Sequence, residues 1–371
     1  MKYLYFGNMG NKGANFCEHA KGVGEEVRLL FAPLQNKRCR LKDFYGDYGE
    51  RPAWADEYEQ SKITDLLNAL VLEAPTADYV IATGAFEAAQ LIRHEIPFYW
   101  FVSGGELSEA PFRNTQDSIN YRSIIEQGRP YIRRIISNHN DVKFACRLLG
   151  LSDRLLGVCD VPYILPEFRE RATAMNHLKL DRICVASYTR RVYSGGVTHS
   201  KGTEVMLSAL RILKECGLDQ QIDFRFTLDG PDARRFKCDI DSLELKNVSW
   251  LGSLTRYDFA KELATHRPIV LDQFAERESV LSGIIREGIA FGCPVLCDNV
   301  YYDGFADNLG NPVPVITVRS PSEIAAKIED ILVDPGLAVR HSKACSEYAS
   351  KYFNSAFFMN SFRRAFHATS V

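Results

Sequence analysis

The 371-residue chain lacks several features that would place it in a class at once. Its ten cysteines include no Cys-x-x-Cys pair, which argues against a metal site and favours reduced thiols in a cytosolic protein. No window approaches the ~20 apolar residues of a membrane-spanning helix. The apolar run from Tyr3 to Phe6 is too short for a signal peptide. We therefore expect a cytoplasmic protein, with contact at the inner face of a membrane left open.

An excess of charge of one sign is also missing. Forty-five Lys and Arg residues against 47 Asp and Glu leave a net charge of −2, so bulk electrostatics indicate neither nucleic acid nor an anionic membrane as a partner. Two basic clusters, Lys37 to Lys42 and Arg129 with Arg133 and Arg134, are typical of solvated faces. They leave a phosphate-bearing acceptor, DNA or a membrane surface open.

What the chain does contain is two series of short apolar runs alternating with helix-length segments, the pattern of parallel βα units. The second series starts near residue 182, and Pro162 and Pro166 would break any helix between the two. We therefore predict two sheets joined near residues 161–166, with a cleft between them. The predicted strands are Tyr3–Phe6, Val27–Leu30, Tyr79–Ala82, Phe98–Val102, Ile135–Ser137, Ile183–Ala186, Phe224–Leu228, Val248–Leu251, Ile269–Leu271, Val295–Cys297 and Val315–Val318.

The segment from Glu287 to Leu296 is the most informative. Glu287 lies in a predicted helix that Gly292 and Pro294 end, and an apolar strand follows. That order places a carboxylate near the mouth of a parallel sheet, where nucleotides usually bind. The helix start at Ser282 and Gly283 offers free N–H groups to a diphosphate. Glu287 is suited to accept hydrogen bonds from ribose hydroxyls, or is an ordinary helix glutamate.

A lysine precedes the helix predicted from Glu204 to Cys216. Lys201 is unfavourable there because a helix N-terminus prefers anions, and a bound phosphate would remove the conflict. Arg190 and Arg191 follow the preceding strand and could converge on the same anion. A solvated lysine fits the spacing equally well.

Two glycine loops follow predicted strands of the first series. Gly7 to Gly13, which includes Gly10 and Asn11, lacks the G-x-G-x-x-G spacing of dinucleotide sites, so it is either a tight turn or a ligand loop. Ser103 to Glu106, which includes Gly104, is a second ligand loop or a polar turn. Asp239-Ile240-Asp241 resembles a metal motif but lies in a charged segment, and we interpret it as surface.

The order of these motifs in the C-terminal half resembles the retaining GT-B glycosyltransferases of family four. The likeness is carried by Lys201-Gly202-Thr203, Leu228 to Pro231, Asn247 to Leu254, and Glu287 to Val295. It is looser in the N-terminal half. Two positions depart from the family pattern: Ser279 stands where relatives carry a first glutamate, and Ser103 where they often carry histidine.

The resemblance implies an α/β fold of GT-B architecture, with two Rossmann-like domains whose parallel sheets face an interdomain cleft. Residues 1–165 would bind the acceptor and residues 166–345 the nucleotide-sugar donor, with a crossing helix within 346–371. Lys201 and Arg190 or Arg191 would stabilise the leaving diphosphate. The implied donor contacts are Glu287, Ser279, Ser282, Gly283, Gly230, Ser253 and Leu254. The implied acceptor contacts are Gly10, Asn11, Gly13, Ser103, Gly104 and Glu106.

The expected function is retaining, metal-independent transfer of a hexosyl or pentosyl group, without a cofactor, from a UDP- or GDP-sugar to a hydroxyl of a glycan or lipid-linked sugar. One alternative acceptor is a modified DNA base. A second alternative is a degenerate GT-B protein that binds a nucleotide sugar without turnover, as the serines at 279 and 103 suggest. A GT-B epimerase or phosphorylase is a further alternative within the enzymes.

Overall fold

The structure, a computed structural model, divides the chain into two compact units. The first unit comprises Met1–Tyr163 and Asn354–Val371, and the second unit comprises Ile164–Phe353. The structure describes residues 1–33, 40–46, 52–102, 107, 110–112, 114–137, 142–157, 161–168, 182–193, 201–272, 274, 282–298 and 312–367.

The first unit is built on a parallel sheet of seven strands in the order β3-β2-β1-β4-β5-β6-β7. Its centre is buried on both faces, which is why its strands are nearly continuous apolar runs. The outer strands β3 and β7 were not predicted, because neither Ala-Asp-Glu nor Leu-Leu-Gly is a continuous apolar run. The strands are β1 (Lys2–Phe6), β2 (Glu26–Phe31), β3 (Ala55–Glu57), β4 (Tyr79–Thr83), β5 (Phe98–Val102), β6 (Ile132–Ser137) and β7 (Leu155–Gly157).

Helices cover this sheet, and the last helix of the chain belongs to the same unit. Phe358 and Phe362 on that helix pack edge-on against Phe16 at ring-centroid distances of 6.1 and 5.1 Å. The helices are α1 (Lys12–Gly22), α2 (Leu41–Tyr45), α3 (Ile63–Glu73), α4 (Ala85–Arg93), α5 (Gln116–Gly128), α6 (Val142–Leu148) and, at the C-terminus, α13 (Ser355–His367).

The second unit repeats the plan with six parallel strands in the order β10-β9-β8-β11-β12-β13. The prediction of two Rossmann-like parallel sheets is thus confirmed. The strands are β8 (Ile183–Ser187), β9 (Ile222–Thr227), β10 (Val248–Leu251), β11 (Ile269–Leu271), β12 (Val295–Cys297) and β13 (Ile316–Thr317). The helices are α7 (Thr203–Glu215), α8 (Ala233–Ser242), α9 (Arg256–His266), α10 (Gly283–Ala290), α11 (Pro321–Val333) and α12 (Pro335–Tyr352).

Helix α10 ends where the sequence predicts. Gly292 has φ of 67°, a left-handed conformation that glycine adopts without steric cost. Its N–H bonds to the Ile289 carbonyl at 2.9 Å, and the Cys293 N–H bonds to the Gly288 carbonyl at 2.8 Å. These two bonds form a Schellman motif, which satisfies the last carbonyls of the helix.

Both sheets reverse their strand order at one place, between β1 and β4 and between β8 and β11. At such a switch point the two neighbouring connections leave the carboxyl ends of the strands toward opposite faces, which opens a crevice where α/β proteins bind ligands. The strand order of each sheet therefore identifies one crevice per unit as a candidate ligand site.

Candidate functional site

The crevice of the second unit is lined by charged and hydroxyl side chains. Thr189 follows β8, Asp272 follows β11, and Lys201 precedes α7; all three line one pocket, together with Arg191. The Lys201 carbonyl accepts a hydrogen bond from the Phe274 N–H at 3.1 Å, which ties the lysine segment to the end of β11. The structure thus brings Lys201 to the switch point.

Gly202 makes this approach possible. Its φ of 70° is left-handed, and a Cβ at this position would lie 2.5 Å from the Phe274 carbonyl carbon. Any larger residue would push the Lys201 segment away from the strand end. Packing of the crevice therefore requires glycine at position 202.

Asp272 is the charged residue at this site that the motif comparison missed. It is 1% exposed, and its two carboxylate oxygens accept hydrogen bonds from the Thr189 and Ser282 hydroxyls. The Ser282 hydroxyl oxygen also caps α10 by accepting from the Ile285 N–H at 3.0 Å. Asp272 therefore joins the connection after β8 to the start of α10. An acidic residue directly after a buried strand was the available signal.

The two arginine candidates have different surroundings. The Arg191 side chain is 1% exposed and donates to the Thr227 carbonyl at 3.2 Å, to the Ser187 hydroxyl at 3.0 Å and to the Ser187 carbonyl at 2.6 Å. Burial lowers the pKa of its guanidinium to about 9, so it remains a cation at neutral pH. Arg190 is exposed, and among the described residues it makes no side-chain hydrogen bond or ion pair.

Glu287 has a partner that the sequence did not indicate. The Arg256 Nε lies 3.1 Å from a Glu287 carboxylate oxygen, and both side chains are mostly buried, at 16% and 14% exposure. Arg256 begins α9, and only the N-cap residue Thr255 separates it from the predicted base-binding residues Ser253 and Leu254. The ion pair thus connects the predicted ribose anchor with the predicted base segment. An ion pair across 31 residues has no local sequence signature.

The remaining donor positions lie in turns and at a helix start. Gly230 has φ of 101°, and a Cβ there would lie 2.6 Å from the Arg191 carbonyl oxygen, so this glycine lets two loops pack together. Gly283 is exposed, with open space around its Cβ position. Ser253 is exposed and Leu254 half-buried. Ser279 lies outside the described residues.

The predicted acceptor residues fall in the first unit. Gly10 and Asn11 have left-handed φ of 56° and 61° in the turn between β1 and α1. A Cβ at Gly13 would lie 2.5 Å from the Gly7 carbonyl oxygen, so Gly13 is required by the tight turn itself. Ser103, Gly104 and Glu106 lie outside the described residues.

Residues of the basic clusters and of the Asp239-Ile240-Asp241 segment form hydrogen bonds or ion pairs within the fold. Arg129 and Arg134 donate to the Leu149 and Asp153 carbonyls at 2.9 and 2.8 Å. Asp241 lies on α8 and pairs with Lys237. Of the Lys37 to Lys42 cluster, only residues 40–42 are described.

Two features are absent from the described part of the chain. It contains no group of three His, Cys, Asp or Glu side chains placed to hold a metal ion. No helix within it is long and apolar enough to cross a bilayer.

A known family matches part of the second unit, and solved structures align with both units. Residues 190–352 match the family described as glycosyl transferases group 1. HepE of Anabaena, solved in complex with UDP-glucose, aligns with a TM-score of 0.66 at 16% identity over 99% of this chain and 100% of its own. Sucrose-phosphate synthase of Thermosynechococcus elongatus aligns with a TM-score of 0.58 at 14% identity over all of both chains. WaaG, a glycosyltransferase involved in lipopolysaccharide biosynthesis, aligns with a TM-score of 0.56 at 14% identity over 98% of both.

No curated protein matches the chain by sequence. The family match lies within the second unit and includes Arg190, Lys201 and Glu287. The chain as a whole has the GT-B fold, and its residues 190–352 are similar to the family described as glycosyl transferases group 1.

Proposed function

We propose that the protein is a retaining glycosyltransferase that needs no metal ion and transfers a sugar from a nucleotide-sugar donor to an acceptor hydroxyl. The observation that carries the proposal is the position of Lys201. It lines the pocket at the switch point of the second unit, within the segment that matches the glycosyl transferases group 1 family.

The charges of this pocket suit a diphosphate. Lys201 and Arg191 contribute two positive charges and Asp272 one negative charge, so the lining has a surplus of one cation. Fixed cations stabilise the negative charge that develops as the diphosphate leaves, and they do so without reorganising. In this proposal Lys201 contacts the diphosphate directly. Arg191 contributes its positive charge without touching the diphosphate, because its N–H donors are bonded to protein carbonyl and hydroxyl oxygens.

The start of α10 supplies further donors. Its first N–H groups have no partner within the helix, and the positive end of the helix dipole lies there. Gly283 is exposed, and a Cβ there would meet nothing within 4 Å, so there is open space beside this helix start. Glu287, one turn further along, would accept hydrogen bonds from the ribose hydroxyls while Arg256 holds its carboxylate in place.

The donor is proposed to be a UDP-sugar. HepE has been solved with UDP and glucose and with UDP-glucose, and it shares the fold over nearly the whole of both chains. In the proposed reaction the acceptor oxygen bonds to the anomeric carbon as the bond to the diphosphate breaks. The acceptor proton leaves on the departing phosphate, so no enzyme base is needed. A glycan or a lipid-linked sugar is the proposed acceptor.

Replacement of Lys201 by alanine tests the assignment. Loss of this cation should lower the transfer rate roughly 10²–10³-fold, because the diphosphate charge in the transition state would lose its direct partner. The measurement is UDP release from UDP-glucose with a panel of sugar acceptors. Lys343→Ala is the matched control, because Lys343 is exposed on α12 and its ammonium group pairs with the exposed Glu347 at 3.8 Å.

Binding separates the enzyme from the degenerate alternative. UDP-glucose at ~100 times its dissociation constant should stabilise the wild type by ~2.7 kcal/mol in thermal unfolding. Full activity in Lys201→Ala would refute the catalytic assignment. Stabilisation by UDP-glucose without UDP release to any acceptor would favour a protein that binds a nucleotide sugar without turnover.

A further inference from the structure

The switch point of the first unit contains a carboxyl group that the proposed donor chemistry does not use. Glu87 lies in the first turn of α4, directly after β4. A first-turn glutamate on a surface helix normally extends into water. Here the side chain lies over the ends of β1 and β4. Its distance from each strand end can be given at two glycines.

Gly7 directly follows β1 and Gly84 directly follows β4, so the two glycines border the crevice. A Cβ at Gly7 would lie 2.9 Å from the Glu87 carboxyl carbon, and a Cβ at Gly84 would lie 2.6 Å from its Oε2. Both glycines have left-handed φ, 98° and 102°. The Glu87 carboxyl therefore packs closely against both strand ends, beside the Thr83 carbonyl oxygen, which would lie 2.8 Å from a Cβ at Gly7.

The surrounding contacts hold this arrangement in place. The indole N–H of Trp100 donates to the Gly84 carbonyl at 3.2 Å, and the buried Thr83 hydroxyl is hydrogen-bonded to the Tyr5 hydroxyl. Gly7 is also fixed, because its N–H bonds to the Leu30 carbonyl at 2.9 Å. The crevice is thus preformed by buried elements of the sheet.

The Glu87 carboxyl has no charged partner among the described residues. Burial raises its pKa to about 7, opposed only by a hydrogen bond from its own backbone N–H. No hydrogen bond joins its carboxyl to the Gly84 N–H, so the reciprocal capping that often explains a glutamate at this helix position is absent from the described contacts. The Glu87 side chain is half-buried. A partly desolvated carboxyl without an ion pair costs folding free energy, and such groups concentrate at ligand sites.

We propose that Glu87 binds the acceptor, with its carboxyl group hydrogen-bonded to a hydroxyl of an uncharged sugar or polyol in the crevice formed by Gly7 and Gly84. The assignment rests on the proposed glycosyltransferase function and adds a residue of the first unit that contacts the acceptor. A carboxylate accepts hydrogen bonds from hydroxyl groups and repels phosphate. The crevice therefore selects a neutral sugar hydroxyl over the phosphate backbone of DNA.

The experiment compares wild type with Glu87→Gln, which keeps the size of the side chain and removes the charge. UDP-glucose serves as donor, and glucose, methyl α-glucoside and glycerol serve as acceptor probes, with UDP release as the readout. We expect the KM for the acceptor to rise about 10-fold or more, as for a lost hydrogen bond to a charged group. The KM for UDP-glucose should not change. Glu126→Gln, on the exposed face of α5, is the matched control.

The outcomes separate this assignment from the proposed function. An unchanged acceptor KM in Glu87→Gln, or equal changes in acceptor and donor KM, would overturn the assignment and leave the proposed function intact. Wild type that neither binds UDP-glucose nor releases UDP would overturn the proposed function, and the assignment with it. Glu87→Asp, which keeps the charge but shortens the reach, should give an intermediate acceptor KM and guards against a folding defect in the glutamine variant.

Discussion

At the scale of single residues, the second unit contains charged side chains that depend on one another. Glu287 and Arg256 form a mostly buried ion pair, and Asp272 accepts hydrogen bonds from two loop hydroxyls. Partly buried ion pairs are costly to break, because the remaining charge keeps its desolvation penalty. In the proposed donor site, each of these residues therefore acts together with its partner.

A double-mutant cycle tests the coupling of Glu287 and Arg256. Each single alanine variant should weaken UDP-glucose binding, and the double variant should bind more tightly than additive losses predict. We expect a coupling free energy on the order of 0.5–3 kcal/mol, as for other residues in direct contact. Calorimetric titration of the four proteins with UDP-glucose measures it.

The pair Lys327 and Asp330, at 2.7 Å on α11, provides the control cycle because both side chains are about half exposed. Exposed ion pairs contribute little, so its coupling in donor binding should be near zero. Strict additivity of Glu287→Ala and Arg256→Ala would contradict the view that Arg256 positions the carboxylate.

At the scale of secondary-structure elements, glycines with left-handed φ set how helices and loops meet the sheets. Gly292 ends α10 in a Schellman motif, and the residues that follow turn directly into β12. Gly288 lies on the sheet-facing side of α10, where a Cβ would come 3.0 Å from a Val295 methyl group. The helix that carries Glu287 is thus positioned by its glycines.

Replacement of Gly292 by alanine should destabilise the second unit by roughly 1–2 kcal/mol, the cost of a Cβ in the left-handed conformation. Chemical denaturation gives the free energy of unfolding. Gly283→Ala is the matched control from the same helix, because it has open space and no positive φ. Alanine there should be neutral or slightly stabilising. Equal effects of the two substitutions would show that the left-handed turn is not what ends α10.

Most of the elements were predictable. Strands such as Phe98–Val102 and Ile269–Leu271 match their predicted limits, and α7 begins one residue before its predicted start. Apolar runs and helical periodicity are local properties of the chain, so they survive in any fold that buries them. The outer strands Ala55–Glu57 and Leu155–Gly157 exist because they pair with a neighbouring strand that is distant in sequence.

At the scale of the whole molecule, helix α13 packs into the core of the first unit, although Met1–Tyr163 and Asn354–Val371 are far apart in sequence. The rings of Phe362 on α13 and Phe101 on β5 pack at 5.6 Å, and Phe362 also contacts Phe16. Phe362 is fully buried. The core of the first unit is therefore complete only when α13 packs against its sheet.

Replacement of Phe362 by alanine should lower the free energy of unfolding of the first unit by roughly 3–5 kcal/mol, the usual cost of a large cavity. Leu72→Ala is the control, since Leu72 is 75% exposed on α3 and its loss should change stability by less than about 0.5 kcal/mol. Thermal unfolding followed by near-UV circular dichroism reports the aromatic packing. A cost below about 1 kcal/mol would show that α13 is dispensable for the first unit.

The sequence by itself determined the two βα series, the glycine that ends α10 and the lysine that precedes α7, because each depends on residues that are neighbours in the chain. Only the tertiary structure distinguished Arg191 from Arg190, paired Arg256 with Glu287, and placed Glu87 against Gly7 and Gly84. Burial and partners at these positions come from residues that are distant in the chain and meet only after folding. No local sequence pattern predicts these contacts, since they depend on the order of strands in each sheet.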